Sequence, residues 1–171
     1  RIPLHAATSL MYFEKNGMVQ KLIHELKYNN KPEIGTFLGK WLAEEIRLSK
    51  RFEMIDLVVP VPLHPDKQKK RGYNQVHDFA HSLAEGLNAR LGLHLLRKIR
   101  NNQSQTSKNR QQRVVTEEDQ YLVTDKTLLK GKHILLVDDT ITTGATMQAC
   151  ADSLSAVADI KISLASMACT V

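Results

Sequence analysis

Aromatic side chains are scarce in this sequence: one Trp, four Tyr and four Phe among 171 residues. Proteins that hold single-stranded nucleic acid by stacking need such rings in groups. The basic stretches at 67–71 and 97–113 have only Tyr73 beside them, so any nucleic-acid contact there would be mainly electrostatic and salt-sensitive. Cysteine is as rare. Cys150 and Cys169 stand in apolar surroundings and are too few for a disulfide scaffold, which predicts two reduced core thiols in a cytoplasmic protein. No apolar run approaches the roughly 18–20 residues of a membrane span, and Arg1–Leu10 carries no signal-peptide pattern. Internal repeats and a clear linker are also missing, so the length fits a single domain spanning residues 1–171.

Several common catalytic patterns are lacking as well. Gly131-Lys132 is not a nucleotide-binding Walker loop, because Lys126 stands where the first Gly belongs and His133 replaces the Ser or Thr. His77 and His81 have the i, i+4 spacing of metal ligands, but the glutamate of a zincin helix and an evident third ligand are missing. No catalytic triad is visible. What the chain does have is positive charge: its net charge of +6 favours anionic partners, either phosphorylated small molecules or nucleic acid.

The most informative stretch is residues 133–146, His-Ile-Leu-Leu-Val-Asp-Asp-Thr-Ile-Thr-Thr-Gly-Ala-Thr. Ile134–Val137 reads as a buried strand. Asp138 and Asp139 follow, then a loop of small hydroxyl residues, then Met147, Cys150, Ala151 and Leu154 at helical spacing. A helix N-terminus presents unpaired N–H groups and partial positive charge, which suits a phosphate. Gly144 lets an anion approach the backbone, and Thr140, Thr142, Thr143 and Thr146 can each donate a hydroxyl hydrogen bond. The two acids repel phosphate and suit vicinal ribose hydroxyls or a Mg²⁺ ion. The series resembles the phosphoribosyl pyrophosphate (PRPP) signature of the type I phosphoribosyltransferases over about 13 positions.

Along the rest of the chain, Val19, Leu22, Ile23 and Leu26 share one helical face, and after Pro32 a second helix places Ile34, Leu38, Trp41, Leu42 and Ile46 on one side. Ile55–Val59 reads as a strand that runs into Pro60-Val61-Pro62-Leu63-His64-Pro65, where three prolines in six residues enforce an extended exit. Residues 66–75 are dense in positive charge and predict a mobile, exposed loop. A helix is expected over about 74–91, with Val76, Phe79, Ala80, Leu83, Leu87 and Leu91 as its buried stripe. Strands are expected at Leu93–Ile99, at Tyr121–Val123 and near Ile160–Met167. The polar, basic segment 100–113 is long enough to suggest a functional loop.

Alternating strands and helices predict an α/β fold of three layers around a mainly parallel sheet, with residues 1–50 as an N-terminal helical hood and 51–171 as the core. Right-handed crossovers would bring the loops after strands 55–59 and 133–137 to one carboxyl edge, where ligands of such sheets bind.

The pattern Val59-Pro60-Val61-Pro62-Leu63-His64, a basic spacer, then Arg71-Gly72-Tyr73-Asn74-Gln75 is narrower. It resembles the ComF/GntX family, phosphoribosyltransferase-like proteins associated with DNA uptake competence. Leu26-Lys27-Tyr28 and Gln105 to Arg113 also resemble family positions, so the likeness spans roughly residues 17–168. Two departures stand out. The family usually carries a Cys-rich zinc ribbon ahead of this domain, and this sequence has no such cysteines, as expected of a truncated chain or a natural variant. Thr116 stands where members often have Asn.

The resemblance implies a phosphoribosyltransferase of the glycosyltransferase class, in nucleotide metabolism, that binds PRPP with Mg²⁺ and passes phosphoribose to an unidentified acceptor. Asp138, Asp139 and Arg71 would be the catalytic residues, with Asp138 and Asp139 holding Mg²⁺ directly or through water. Thr140, Thr142, Thr143, Gly144, Ala145 and Thr146 would bind the 5′-phosphate. Backbone N–H groups around Val61, Pro62, Leu63 and His64, with the Arg71 guanidinium, would bind pyrophosphate. Lys67, Lys69 and Lys70 would add less specific attraction, and Arg110 and Arg113 weaker attraction still. Ile141 is apolar where some relatives place an acid that serves as base, which leaves the general base unassigned. The alternatives are a PRPP-binding regulator without turnover, or a factor handling single-stranded DNA with the competence machinery. An oligomer is compatible with any of these.

Overall fold

The computed structural model describes residues 4–29, 31–52, 54–63, 68–69, 72–99 and 120–170. Its main sheet has five parallel strands in the order β1-β7-β6-β2-β3: β1 (Ala7–Tyr12), β2 (Leu57–Pro60), β3 (Arg90–Leu91), β6 (His133–Ile141) and β7 (Lys161–Cys169). A separate antiparallel pair joins β4 (Leu96–Ile99) to β5 (Gln120–Val123). The helices are α1 (Met18–Tyr28), α2 (Pro32–Ser49), α3 (His77–Gly86), the short α4 (Lys126–Leu129) and α5 (Ala145–Ser155).

Period-two alternation divides the sheet's side chains between two cores. Val58, Leu135, Val137, Ala165 and Met167 face a layer formed by α1, α2 and α3. Leu57, Val59, Ile134, Leu136 and Ile162 face α5, α4 and the β4–β5 pair. The result is the expected three-layer α/β arrangement. Among the described residues, no helix is long and apolar enough to cross a membrane.

Several local readings change. Besides α1 and α2, the segment expected as a helical hood contributes β1, which pairs in parallel with β7 at the sheet edge. α2 lies in the helical layer beside the sheet, against α3. Trp41 is not on the buried side of α2. The buried stripe is Gly35, Leu38, Gly39, Leu42, Ala43 and Ile46, while Trp41 sits 44% exposed on the flank beside Phe37 and donates to Glu45. α3 is shorter than expected and ends at Gly86, after which Asn88 turns left-handed and Arg90 N–H donates to the Asp56 carbonyl. The strand expected at Leu93–Ile99 begins only at Leu96, as β4, because a turn closed by Leu95 N–H on the Gly92 carbonyl separates it from β3, which ends at Leu91. Residues 100–113 lie outside the described residues.

Two contacts fix the parts that carry the site. α2 meets α3 through small residues, and a Cβ at Gly39 would come 2.5 Å from the Phe79 carbonyl oxygen and 2.9 Å from the Ser82 Cβ. At the start of β6, the Asp56 carboxylate accepts the His133 N–H at 2.8 Å and the Lys132 ammonium at 3.3 Å, while Asp56 N–H donates to the His133 carbonyl. The His133 N–H, with Lys132 adding to it, holds the Asp56 carboxyl below its usual range.

Gly39→Ala should therefore destabilise the protein by about 1–3 kcal/mol through overpacking, as measured by urea unfolding. Asp56→Asn should lower stability by roughly 1 kcal/mol at neutral pH, a modest value because the carboxylate is partly solvated. A depressed native pKa contributes stability that disappears as the group protonates, so wild type and variant should converge below about pH 4 in denaturation curves.

Candidate active site

β2 and β6 are adjacent and parallel, so both chains leave the sheet at its carboxyl edge. There Val61, Pro62 and Leu63 face Asp138 and Asp139 across a cavity of about 170 Å³. Lys27 of α1, Asn74, Gln75 and Val76 before α3, Lys98 of β4, Tyr121 of β5 and Thr146 of α5 complete its lining. The structure thus brings the acid pair and the Pro-rich exit into one cleft. It adds Lys27, Lys98 and Tyr121, which the sequence reading did not place in the site. Lys27 stood within a stretch already compared with family positions. Lys98 and Tyr121 carry no local signal, since the β4–β5 pairing is what brings them there.

β6 does not stop at Val137 but continues to Ile141, so both acids are strand residues. Alternation sends them to different surroundings. Asp139 is buried on the α1–α3 side, where its Oδ1 lies 2.8 Å from Lys27 Nζ and its Oδ2 accepts a hydrogen bond from the Gln75 amide. Asp138 is half-buried in the cavity, and one of its oxygens accepts the Asp139 N–H at 2.8 Å. Burial and the charge of Asp139 push the Asp138 carboxyl up to about 7, against the opposing pull of the Asp139 N–H, Lys27 and Lys98.

In the segment after the Pro-rich exit, Gln68, Lys69 and Gly72 are exposed as its charge predicts, but its end is not. Asn74 and Gln75 are buried. The Asn74 amide donates to the Val61 carbonyl at 3.2 Å while its oxygen accepts the Val76 N–H at 3.1 Å. The Tyr73 hydroxyl donates to the Leu26 carbonyl. Tyr73, Asn74 and Gln75 therefore tie α1, the Pro-rich exit and Asp139 together. Their polar side chains are used up inside the protein, a role that a reading by charge density misses. The expected pyrophosphate donors also narrow. Val61 N–H is committed to the Val137 carbonyl at 2.8 Å and Pro62 has no N–H, so neither can donate to a ligand. Leu63 lines the cavity. His64, Lys67, Lys70, Arg71, Arg110 and Arg113 lie outside the described residues, and Lys69 is exposed.

The turn from β6 into α5 has the features expected of an anion site. Gly144 sits at φ +78° as the N-cap of an 11-residue helix and offers no side chain to cap it. Thr142 and Thr143 are exposed, and Ala145 N–H makes a long 3.4 Å contact with the Thr143 hydroxyl. Thr140 Oγ1 is shielded from solvent and has no hydrogen-bond partner in the structure. A hydroxyl left so costs about 1–3 kcal/mol until a ligand or water meets it. Thr146 reaches the cavity itself.

Among the described residues no group of three His, Cys, Asp or Glu side chains could hold an ion, and His81 lies 3.6 Å from Glu85. Cys150 is buried and Cys169 partly so.

The Phosphoribosyl transferase domain family matches residues 77–167, more than half of the chain, a span that includes β6, the acid pair and α5. The chain belongs to that family. Its relatives define the branch. Competence protein ComFC of Streptococcus pneumoniae is 33% identical over 79% of this chain and 56% of its own length. Competence protein ComFC of Bacillus subtilis is 31% identical over 77% of this chain and 51% of its own. The DNA utilization protein YhgH of Salmonella typhimurium is 26% identical over 74% and 56%. This is a ComF-type phosphoribosyltransferase-like domain, and the chain spans about half the length of these relatives.

A raised carboxyl pKa in the native state makes ionisation cost stability as pH rises from the unfolded value near 4 to about 7. Without divalent cation, Asp138→Asn should therefore be more stable than wild type at pH 8, by on the order of 2 kcal/mol, with the gap closing toward pH 4. Thermal unfolding across that range measures it.

Proposed function

We propose that this domain binds PRPP together with Mg²⁺ and transfers its phosphoribosyl group to an acceptor, releasing pyrophosphate. The observation that carries the proposal is one continuous turn. An acid pair at the end of β6 lines the cavity faced by the Pro-rich exit, and it is followed by a left-handed Gly144 N-cap and a helix whose Thr146 reaches the same cavity. That turn offers a phosphate and a ribose diol their own partners a few residues apart.

The donor set fits Mg²⁺. It is made of oxygens, it holds two carboxylates rather than a closed cage, and such ions are commonly bound by one or two carboxylates plus substrate phosphates. Asp138, and Asp139 through water, would hold the ion, which when bound offsets negative charge on the departing pyrophosphate. The protein's own groups do the rest. The N–H groups of α5 and the hydroxyls of Thr140, Thr142, Thr143 and Thr146 hold the 5′-phosphate. Asp138 accepts from the ribose hydroxyls, and its negative charge favours the positive character that the ring gains as the pyrophosphate bond lengthens. Arg71 would stabilise the leaving pyrophosphate through its planar fork. The bond that breaks joins the anomeric carbon to pyrophosphate oxygen. The bond that forms joins the same carbon to the acceptor, so no covalent enzyme intermediate is required.

Relatives named for competence and DNA utilization support linking this chemistry, or PRPP sensing on the same site, to competence and DNA utilization. The net charge of +6 is compatible with electrostatic contact to single-stranded DNA.

Calorimetric titration of PRPP with Mg²⁺ should show binding by wild type and a loss of at least about a hundredfold in Asp138→Asn/Asp139→Asn, whose removed charges act at the ligand itself. A well-folded wild type that binds no PRPP would sink the proposal. Binding without pyrophosphate release across candidate acceptors would favour the regulator.

A further inference from the structure

The two acids of the pair are adjacent in sequence but differ in what already holds them. Asp139 has a side-chain exposure of 7%, and Lys27 pairs with it from α1, with the Gln75 amide on its other oxygen. Asp138 shares its cavity wall with Thr146, Tyr121 and Lys98, the last lying 5.6 Å from the centre of the Tyr121 ring.

We infer that Lys27 is the resident counter-cation of Asp139 and a specificity-determining residue of the site. It keeps a free divalent cation out and leaves Asp138 to receive a phosphorylated ribose with the cation that accompanies it. This rests on the PRPP reading for the identity of the ligand, though not for the role of Lys27.

Charge and anchoring support the inference. Two neighbouring carboxylates at a cleft would attract a bare divalent cation strongly. With an ammonium 2.8 Å from Asp139, an ion approaching the pair meets a like charge in a partly buried setting, where screening is weak. Lys27 does not sit there on a loose tether. Leu26, the residue before it, is fully buried, and its carbonyl accepts the Tyr73 hydroxyl. Tyr73 is two residues from Gln75, which holds the same carboxylate. The backbone that carries Lys27 is thus fixed by the segment that fixes Asp139. A ligand that brings its own anionic oxygens changes this balance, because Lys27 and Lys98 then face negative charge as well as Asp138.

The test uses Mn²⁺ alone, followed by the electron paramagnetic resonance signal of the free ion. Lys27→Met should bind Mn²⁺ at least about tenfold more tightly than wild type, equivalent to roughly 1.4 kcal/mol. Lys27→Arg should stay near wild type. Adding Asp139→Asn to Lys27→Met should remove the gain. Lys27→Gln, which keeps a polar chain of similar reach, serves as the neutral variant if Lys27→Met does not fold in a thermal scan. Neutral variants that are folded and bind Mn²⁺ no better than wild type would overturn the inference. PRPP is titrated into the same wild-type preparation. A Mn²⁺ gain without PRPP binding would remove the PRPP reading and keep Lys27 as the counter-cation. PRPP binding without the gain would remove the role of Lys27 alone.

Discussion

A carboxylate buried at the end of a parallel strand needs partners, and meeting that need at Asp139 organises the cleft. Lys27 comes from α1, and Gln75 comes from the segment between the Pro-rich exit and α3. Asn74 holds Val61 and Tyr73 holds Leu26, so the same short segment fastens each neighbour in turn. Removing any one of these partners would leave a buried polar group unpaired, which costs more than the contact itself contributes. The cleft is therefore assembled as a unit, with the acid pair at its centre.

That unit depends on a second, steric constraint. Gln75 reaches Asp139 only if α3 starts at the right depth over the sheet. The depth is set where Gly35, Gly39 and Ala43 of α2 let the backbone of α3 approach closely, with Gly86 against Ala43 at the far end of α3. Packing of this kind tolerates little added volume. α2 lines no part of the cavity, yet it fixes the height of the wall that does.

The same architecture gives two identical side chains different chemistry. Alternation along β6 turns Asp139 toward a cation and an amide, and leaves Asp138 half-buried beside it with a raised carboxyl pKa. A carboxyl group raised by burial and a neighbouring charge at the wall of a cleft is characteristic of functional sites. The Thr140 hydroxyl just beyond is shielded from solvent without a hydrogen-bond partner, and Gly144 offers no side chain to cap α5.

The α/β class, the parallel arrangement, the shared carboxyl edge and the order of strand, acid pair, small-residue turn and helix were all legible in the sequence. They rest on period-two and period-3.6 patterns and on residue types that act locally, such as Gly144 and the threonines around it. Local patterns could not reveal β1, whose partner β7 lies at the other end of the chain, or the division of residues 90–99 between two sheets. They also gave Trp41 to the core and Asn74 and Gln75 to solvent, because burial is settled by what packs opposite a residue and not by its own polarity. The sequence by itself determined that an acid pair would precede a small-residue turn into a helix. Only the tertiary structure decided that one acid would be held by Lys27, because that contact joins residues far apart in the chain through the packing of α1 against the sheet.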